Sequence, residues 1–188
     1  SKNTQLEGLG CSSNQLTTLD VSKNTQLEEL GCDHNNLTSL DVSKNTQLNK
    51  LYCSSNQLTS LDVSKNTQLK GLACDSNSLT SLDVSKNTWL TELYCCGNNF
   101  TTAALDRIYC ALPARSASDG AMIFPLDESS SVAEQNMVAS TNAANATAKN
   151  WKVLKFKEDG NHTDIATTGS YVCSGGGGTT TYDLKIAG

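Results

Sequence analysis

A chain of 188 residues, 37% of them hydrophobic with tyrosine counted, has the size of one ordinary domain and enough apolar material for a lean core. Fourteen basic against nineteen acidic side chains give a formal charge of −5, which offers no electrostatic footprint for nucleic acid, and no apolar run approaches the ~18 residues of a membrane span. Two histidines, His34 and His162, are too few for a multi-histidine metal site, so no metal or cofactor is expected; the eight cysteines are the anomaly.

The chain opens on "SKNTQL", the tail of a unit whose "LDV" is missing, so a natural boundary at Ser1 is not expected and a capping segment upstream is. From there "LDVSKNTQL" recurs with its valine at Val21, Val42, Val63 and Val84, a period of 21 residues. Cys11, Cys32, Cys53, Cys74 and Cys95 keep that period, as do Asn14, Asn35, Asn56, Asn77 and Asn98. In a strand, Leu30 and Cys32 share one face while Glu29, Gly31 and Asp33 share the other. Stacked coils would therefore bury ladders of leucine and of free thiol, with the asparagine amides satisfying backbone groups where the chain leaves the sheet. Each unit also contains a second half, Leu37, Leu40, Val42 and Asn45, patterned like Leu27, Leu30, Cys32 and Asn35. Both halves read as extended, which predicts a weakly curved solenoid.

In units such as "LNKLYCSSNQLTSLDVSKNTQ" the pattern LxxLxCxxNxL is that of leucine-rich repeats, and the whole unit resembles the nested 21-residue bacterial type sometimes called IRREKO, with cysteine and valine where that consensus prefers leucine. The resemblance covers residues 1 to about 105. It implies an α/β leucine-rich-repeat solenoid, β-rich, with parallel strands on one face and short extended segments on the other. Similar arrays in gut Bacteroidetes belong to exported, cell-surface or lipid-anchored proteins that bind other macromolecules, and the class has no catalytic signature.

Past Asn98 the repeat frays: Phe100, Ala103 and Leu105 stand where Leu16, Leu19 and Val21 stood. Leu105, Ile108, Tyr109 and Leu112 have helical spacing before Pro113. "GAMIFPL" reads as a strand, Ser131 and Glu134 as a capping box before a helix that Asn142 restarts, and "WKVLKF" as another strand. Residues 100–156 are thus expected to form an α/β C-terminal cap that extends the parallel sheet. In residues 157–188 a turn at "KEDGNHTD", an antiparallel pairing of "SYVC" with the preceding strand, and a glycine run before a last short strand are expected.

The column of Asp20, Asp41, Asp62 and Asp83 reads as neutralised by Lys23, Lys44, Lys65 and Lys86 on a solvated face. Cys96 is expected on the open sheet face, His34 at an exposed rim and His162 in a hairpin turn; Cys110 and Cys173 leave a clasp or two free thiols open. Cys110 as an enzymatic nucleophile has no framing motif beside it. Binding in a repeat protein falls to side chains that escape the consensus, here Glu29, Asp33, Lys50, Tyr52, Asp75, Glu92 and Tyr94, with the two tyrosines as amphipathic anchors. The expected function is a non-enzymatic recognition module for protein or glycan at the cell surface, the alternative a structural spacer within a larger surface protein.

Overall fold

The structure is a computed structural model that describes residues 3–173. The glycine run and the last expected strand lie outside the described residues.

Five three-residue strands, β1 (Gly8–Gly10), β2 (Glu29–Gly31), β3 (Lys50–Tyr52), β4 (Gly71–Ala73) and β5 (Glu92–Tyr94), stack in parallel at one per coil. The register is unbroken, with Leu9, Leu30, Leu51, Leu72 and Leu93 in one row. Strand alternation turns each leucine and the cysteine two residues later inward, and Leu30, Cys32, Leu51 and Cys53 are completely buried. A coil alone cannot close such a core; stacking buries it from both sides at ~1.5–3 kcal/mol per large aliphatic side chain. Leu37, Leu40 and Val42 of the second half complete the same interior. That half holds no strand among the described residues. It advances through repeated tight turns, as where the amide of Asn45 donates to the carbonyl of Val42 at 3.0 Å.

The asparagine of the first half serves the backbone of two coils at once. Asn56 Nδ2 donates to the carbonyls of Cys32, Cys53 and Ser54, and its Oδ1 accepts from the amide of Leu37 at 3.0 Å. A second row, Asn24, Asn45, Asn66 and Asn87, is also buried: Asn66 Nδ2 reaches the carbonyls of Val42 and Asn45.

Beyond the array, α1 (Thr102–Ala111) starts at Thr101, whose side chain accepts from the amide of Ala104, and it buries Leu105, Ile108 and Tyr109. A single 3₁₀ turn, Ala117–Asp119, leads into β6 (Met122–Leu126), which pairs in parallel with β5. The Ser131–Glu134 capping box opens α2 (Val132–Ala139); α3 (Ala144–Thr147) follows, with Asn142 Oδ1 accepting from the amide of Ala144. β7 (Lys152–Lys155) extends the parallel sheet, so that Ile123 and Val153 carry on the leucine row. Pro125 supplies no amide hydrogen, and the β6–β7 register shifts between Ile123 and Leu126.

One expectation is corrected here and one is refined. The strand that pairs antiparallel with β7 is β8 (Thr163–Asp164), and "SYVC" lies elsewhere. The Tyr171 carbonyl accepts from the side-chain amides of Asn142 and Asn145, and Cys173 is disulfide-bonded to Cys110 of α1, so this segment is drawn across the helices. At Gly169 an added Cβ would lie 2.3 Å from the Ser140 carbonyl oxygen, which admits only glycine. The lysines compensate the aspartate column only at a distance: Lys23, Lys44 and Lys65 favour the charged forms of Asp20, Asp41 and Asp62, but the direct partners of Asp20, Asp41, Asp62 and Asp83 are the amides of Ser22, Ser43, Ser64 and Ser85, and the one salt bridge among the described residues is Arg115–Asp119. A carboxylate two residues before an amide closes an Asx turn with no loss of long side-chain freedom, whereas a lysine must be ordered to pair with it.

Candidate recognition face

Residues before, between and after the inward leucine and cysteine of each coil point to the open face of the sheet. Three columns result. Gly8, Glu29, Lys50, Gly71 and Glu92 form the first and Gly10, Gly31, Tyr52, Ala73 and Tyr94 the second, in strict register. Ser12, Asp33, Ser54, Asp75 and Cys96 form the third, one step beyond the strands. Glu29, Lys50 and Glu92 are exposed, while Asp33, Tyr52, Asp75 and Tyr94 are half-buried.

The third column is hydrogen-bonded along the stack. Ser12 Oγ donates to Asp33, the amide of Ser54 to Asp33 Oδ1, and Ser54 Oγ to Asp75 Oδ1 at 2.5 Å. Burial pushes the Asp75 carboxyl above the ordinary carboxylate range against that hydrogen bond. Cys96, expected on this open face, is instead only 4% exposed. Its Sγ donates to Asp127 at 3.4 Å, because the segment after β6 folds over the end of the column. Burial raises the Cys96 thiol pKa and makes it unreactive.

The second column ends in an aromatic cluster. Tyr94 and Phe124 are register partners and stack with ring centroids 4.6 Å apart and planes 13° apart. Phe156 and His162 close around Phe124, with centroids at 5.7 and 4.8 Å. The hairpin holds His162 there, its Nδ1 accepting from the amide of Lys157. Phe156 and His162 were not foreseen beside the face, since only the cap strands and the antiparallel β7–β8 hairpin bring them to Tyr94 and the buried Phe124. Trp89, 54% exposed where the other units carry glutamine, was readable as a departure from the repeat.

His34 is exposed at the rim, as its place in the repeat implies. Its φ of 51° matches Ser13, Ser55, Ser76 and Gly97 at the same repeat position, so it occupies a left-handed turn, and its neighbour Cys32 faces the interior. Of the sulfur column, Cys32, Cys53, Cys74 and Cys95 are buried, while Cys11 on the first coil is half-buried; all five are free thiols. Cys53 and Cys74 donate to the carbonyls of Ala73 and Tyr94. Desolvation pushes Cys32 up to about 12 and the three deeper thiols well above the ordinary value. Cys110, in its disulfide, supplies no thiolate for nucleophilic attack. Among the described residues, no group of three His, Cys, Asp or Glu side chains is placed to hold a metal ion, and no helix is long and apolar enough to cross a membrane.

No protein-family model matches the sequence, and no curated protein does. Solved structures do. The functional domain of InlJ from Listeria monocytogenes, described as including a cysteine ladder, is similar over 82% of this chain and 37% of its own, with 29% identity and a TM-score of 0.59. An internalin, inlF, of the same organism matches over 80% of this chain and 41% of its own at 19% identity and a TM-score of 0.59. A leucine-rich-repeat protein of Leptospira interrogans matches over 82% and 44% at 22% identity and a TM-score of 0.55. The chain spans less than half the length of each of these neighbours. In-register coils, the inward leucine rows and these neighbours establish the chain as a weakly curved leucine-rich-repeat solenoid whose structural relatives are bacterial leucine-rich-repeat proteins.

Proposed function

We propose that the chain is a non-enzymatic recognition module that presents the open face of its sheet to a protein or glycan partner at the cell surface. The carrying observation is the segregation of variation. Inward positions repeat almost without change, whereas Glu29, Asp33, Lys50, Tyr52, Asp75, Glu92 and Tyr94 differ from coil to coil and share one face. Half-buried tyrosines among unpaired charges give amphipathic anchors with a polar surround, the usual anatomy of a binding surface. The Cys110–Cys173 disulfide supports export, because such bonds persist in oxidising compartments.

The test is a screen of the full chain against immobilised surface proteins and glycans, repeated with the Tyr52→Ala/Tyr94→Ala double variant. Loss of about tenfold or more in affinity for the partner found is expected, a change of about 1.4 kcal/mol or more. Unchanged affinity removes this face from consideration and leaves the array as a spacer.

A further inference from the structure

The open face is unevenly charged. Among its three columns in the array, Glu29, Asp33, Asp75 and Glu92 stand against a single cation, Lys50. Lys50 and Lys152, which continues the first column beyond Met122, lie along one margin of the face, whereas the third column carries Asp33 and Asp75 and no lysine or arginine. Burial and the carboxylates of Asp33 and Asp127 push the Asp75 carboxyl up, which marks a run of like charge along this margin.

Beyond Cys96 that margin reaches the cap. Asp127, Glu128, Ser129, Phe156 and Glu158 line a hollow of about 180 Å³. Asp127 is fixed there, its Oδ1 accepting from the amide of Ser129 and its Oδ2 from Cys96 Sγ. Glu128 and Glu158 are exposed, and neither is in a salt bridge among the described residues. Phe156 is the apolar wall. His162 stacks on it with ring centroids 5.2 Å apart, and it meets Tyr94 edge-to-face at 5.7 Å, so the hollow is continuous with the second column.

Resting on the reading of this face as the recognition surface, we infer that its partner is a protein with a basic contacting segment, and that one arginine of that segment enters the hollow between Phe156 and the carboxylates of Asp127, Glu128 and Glu158. A guanidinium is planar and weakly hydrated, rests on an aromatic ring and donates in a fork to carboxylates, so it meets both kinds of wall at once. A lysine ammonium is more strongly hydrated and lacks the fork. A neutral sugar would set only hydroxyl donors against the carboxylate charge, and an anion would be repelled. Tyr52 and Tyr94 anchor the apolar parts of the same segment, and Glu92 and Asp75, whose charges act on Tyr94, flank it with further acceptors.

Glu128→Gln/Glu158→Gln removes charge at the hollow and keeps side-chain shape at two exposed positions. Asp20→Asn/Asp41→Asn removes the same charge from the second-half surface and keeps the acceptor of each Asx turn. The experiment is an amide chemical-shift titration of the full ¹⁵N-labelled chain at low salt with a capped heptapeptide that alternates glycine with arginine, with its lysine and glutamate counterparts, and with maltohexaose as a glycan probe. Saturable shifts at residues 94, 127, 156 and 158 are expected from the arginine peptide, weaker binding from the lysine peptide and none from the other two probes. Affinity for the arginine peptide is expected to fall about tenfold or more in Glu128→Gln/Glu158→Gln and less than about twofold in Asp20→Asn/Asp41→Asn. No shifts from the arginine peptide, equal losses in the two double variants, equal affinity for the lysine peptide, or shifts at these residues from maltohexaose or the glutamate peptide each overturn the inference. The face reading fails separately, when a macromolecular partner keeps its affinity for the Tyr52→Ala/Tyr94→Ala variant.

Discussion

The two asparagine rows do unequal work. Asn77 is buried, donates to the carbonyls of Cys53, Cys74 and Asp75, and accepts from the amide of Leu58 at 2.9 Å. Asn66 donates to two carbonyls, but its buried Oδ1 has no protein partner. Unsatisfied buried groups cost about 1–3 kcal/mol each. Asn77→Ala is expected to lower unfolding stability by about 3 kcal/mol and Asn66→Ala by about half as much, read as the shift in urea midpoint; equal losses would contradict the hydrogen-bond assignment. Carboxylates set the acid limb. Hydrogen bonds from the following serines hold Asp20, Asp41 and Asp62 below the ordinary carboxylate range, so their contribution is present above the unfolded value and lost as pH falls through the folded one. Asp75 has the opposite sign: with its folded value raised, it favours the fold at low pH and loses that contribution as pH rises from the unfolded value to the folded one. Chemical denaturation from pH 2 to 7 is therefore expected to show a loss of stability toward acid pH that is smaller in Asp20→Ala/Asp41→Ala/Asp62→Ala. Asp75→Asn should be at least as stable as the parent at neutral pH, and a clear destabilisation there would contradict the burial of an ionised Asp75.

At the scale of elements, the cap is held by tethers as much as by its core. Lys149 Nζ donates to the carbonyls of Tyr109, Cys110 and Leu112, closing the last turn of α1, while Trp151 Nε1 donates to the carbonyl of Pro113. Lys149→Met keeps the aliphatic stem and removes the donor, and a loss of about 2 kcal/mol is expected from the charged contacts it ends. The disulfide joins residues 63 apart in sequence, for which chain-entropy arguments give about 2–4 kcal/mol. Cys110→Ser/Cys173→Ser is expected to speed hydrogen exchange at Thr168 and Gly169, whose amides donate to Ala139 and Thr141, and to leave the repeat strands protected. Equal deprotection of both regions would contradict a local clasp. These tethers were the least legible part of the sequence. Helical spacing at Leu105, Ile108 and Tyr109 and the Ser131–Glu134 box announced α1 and α2 through local chemistry. Nothing local announced that "SYVC" would be drawn to α1 by Cys110, that two residues at Thr163 would take the strand pairing, or that Lys149 would reach across to a helix end. Each depends on contacts more than thirty residues apart or on a turn geometry that composition leaves open.

At the scale of the whole molecule, the strands and leucine rows were legible because a 21-residue period fixes each side chain's direction once one strand is placed. The face was legible only in outline. Column membership of Tyr52 and Tyr94 follows from the period, but the stacking of Tyr94 on Phe124 and the covering of Cys96 by Asp127 come from the cap, where the period has ended. Function and fold thus rest on one arrangement: coils in register, sulfur within, variable side chains without. Alkylation with iodoacetamide under native conditions, read by peptide mass spectrometry, tests that arrangement most directly. The account predicts that Cys32, Cys53, Cys74, Cys95 and Cys96 stay unlabelled until the chain unfolds, that Cys11 on the end coil is labelled first, and that Cys110 and Cys173 are recovered as one disulfide-linked pair. Rapid labelling of the inner cysteines in the folded chain, or a disulfide between members of their column, would contradict it.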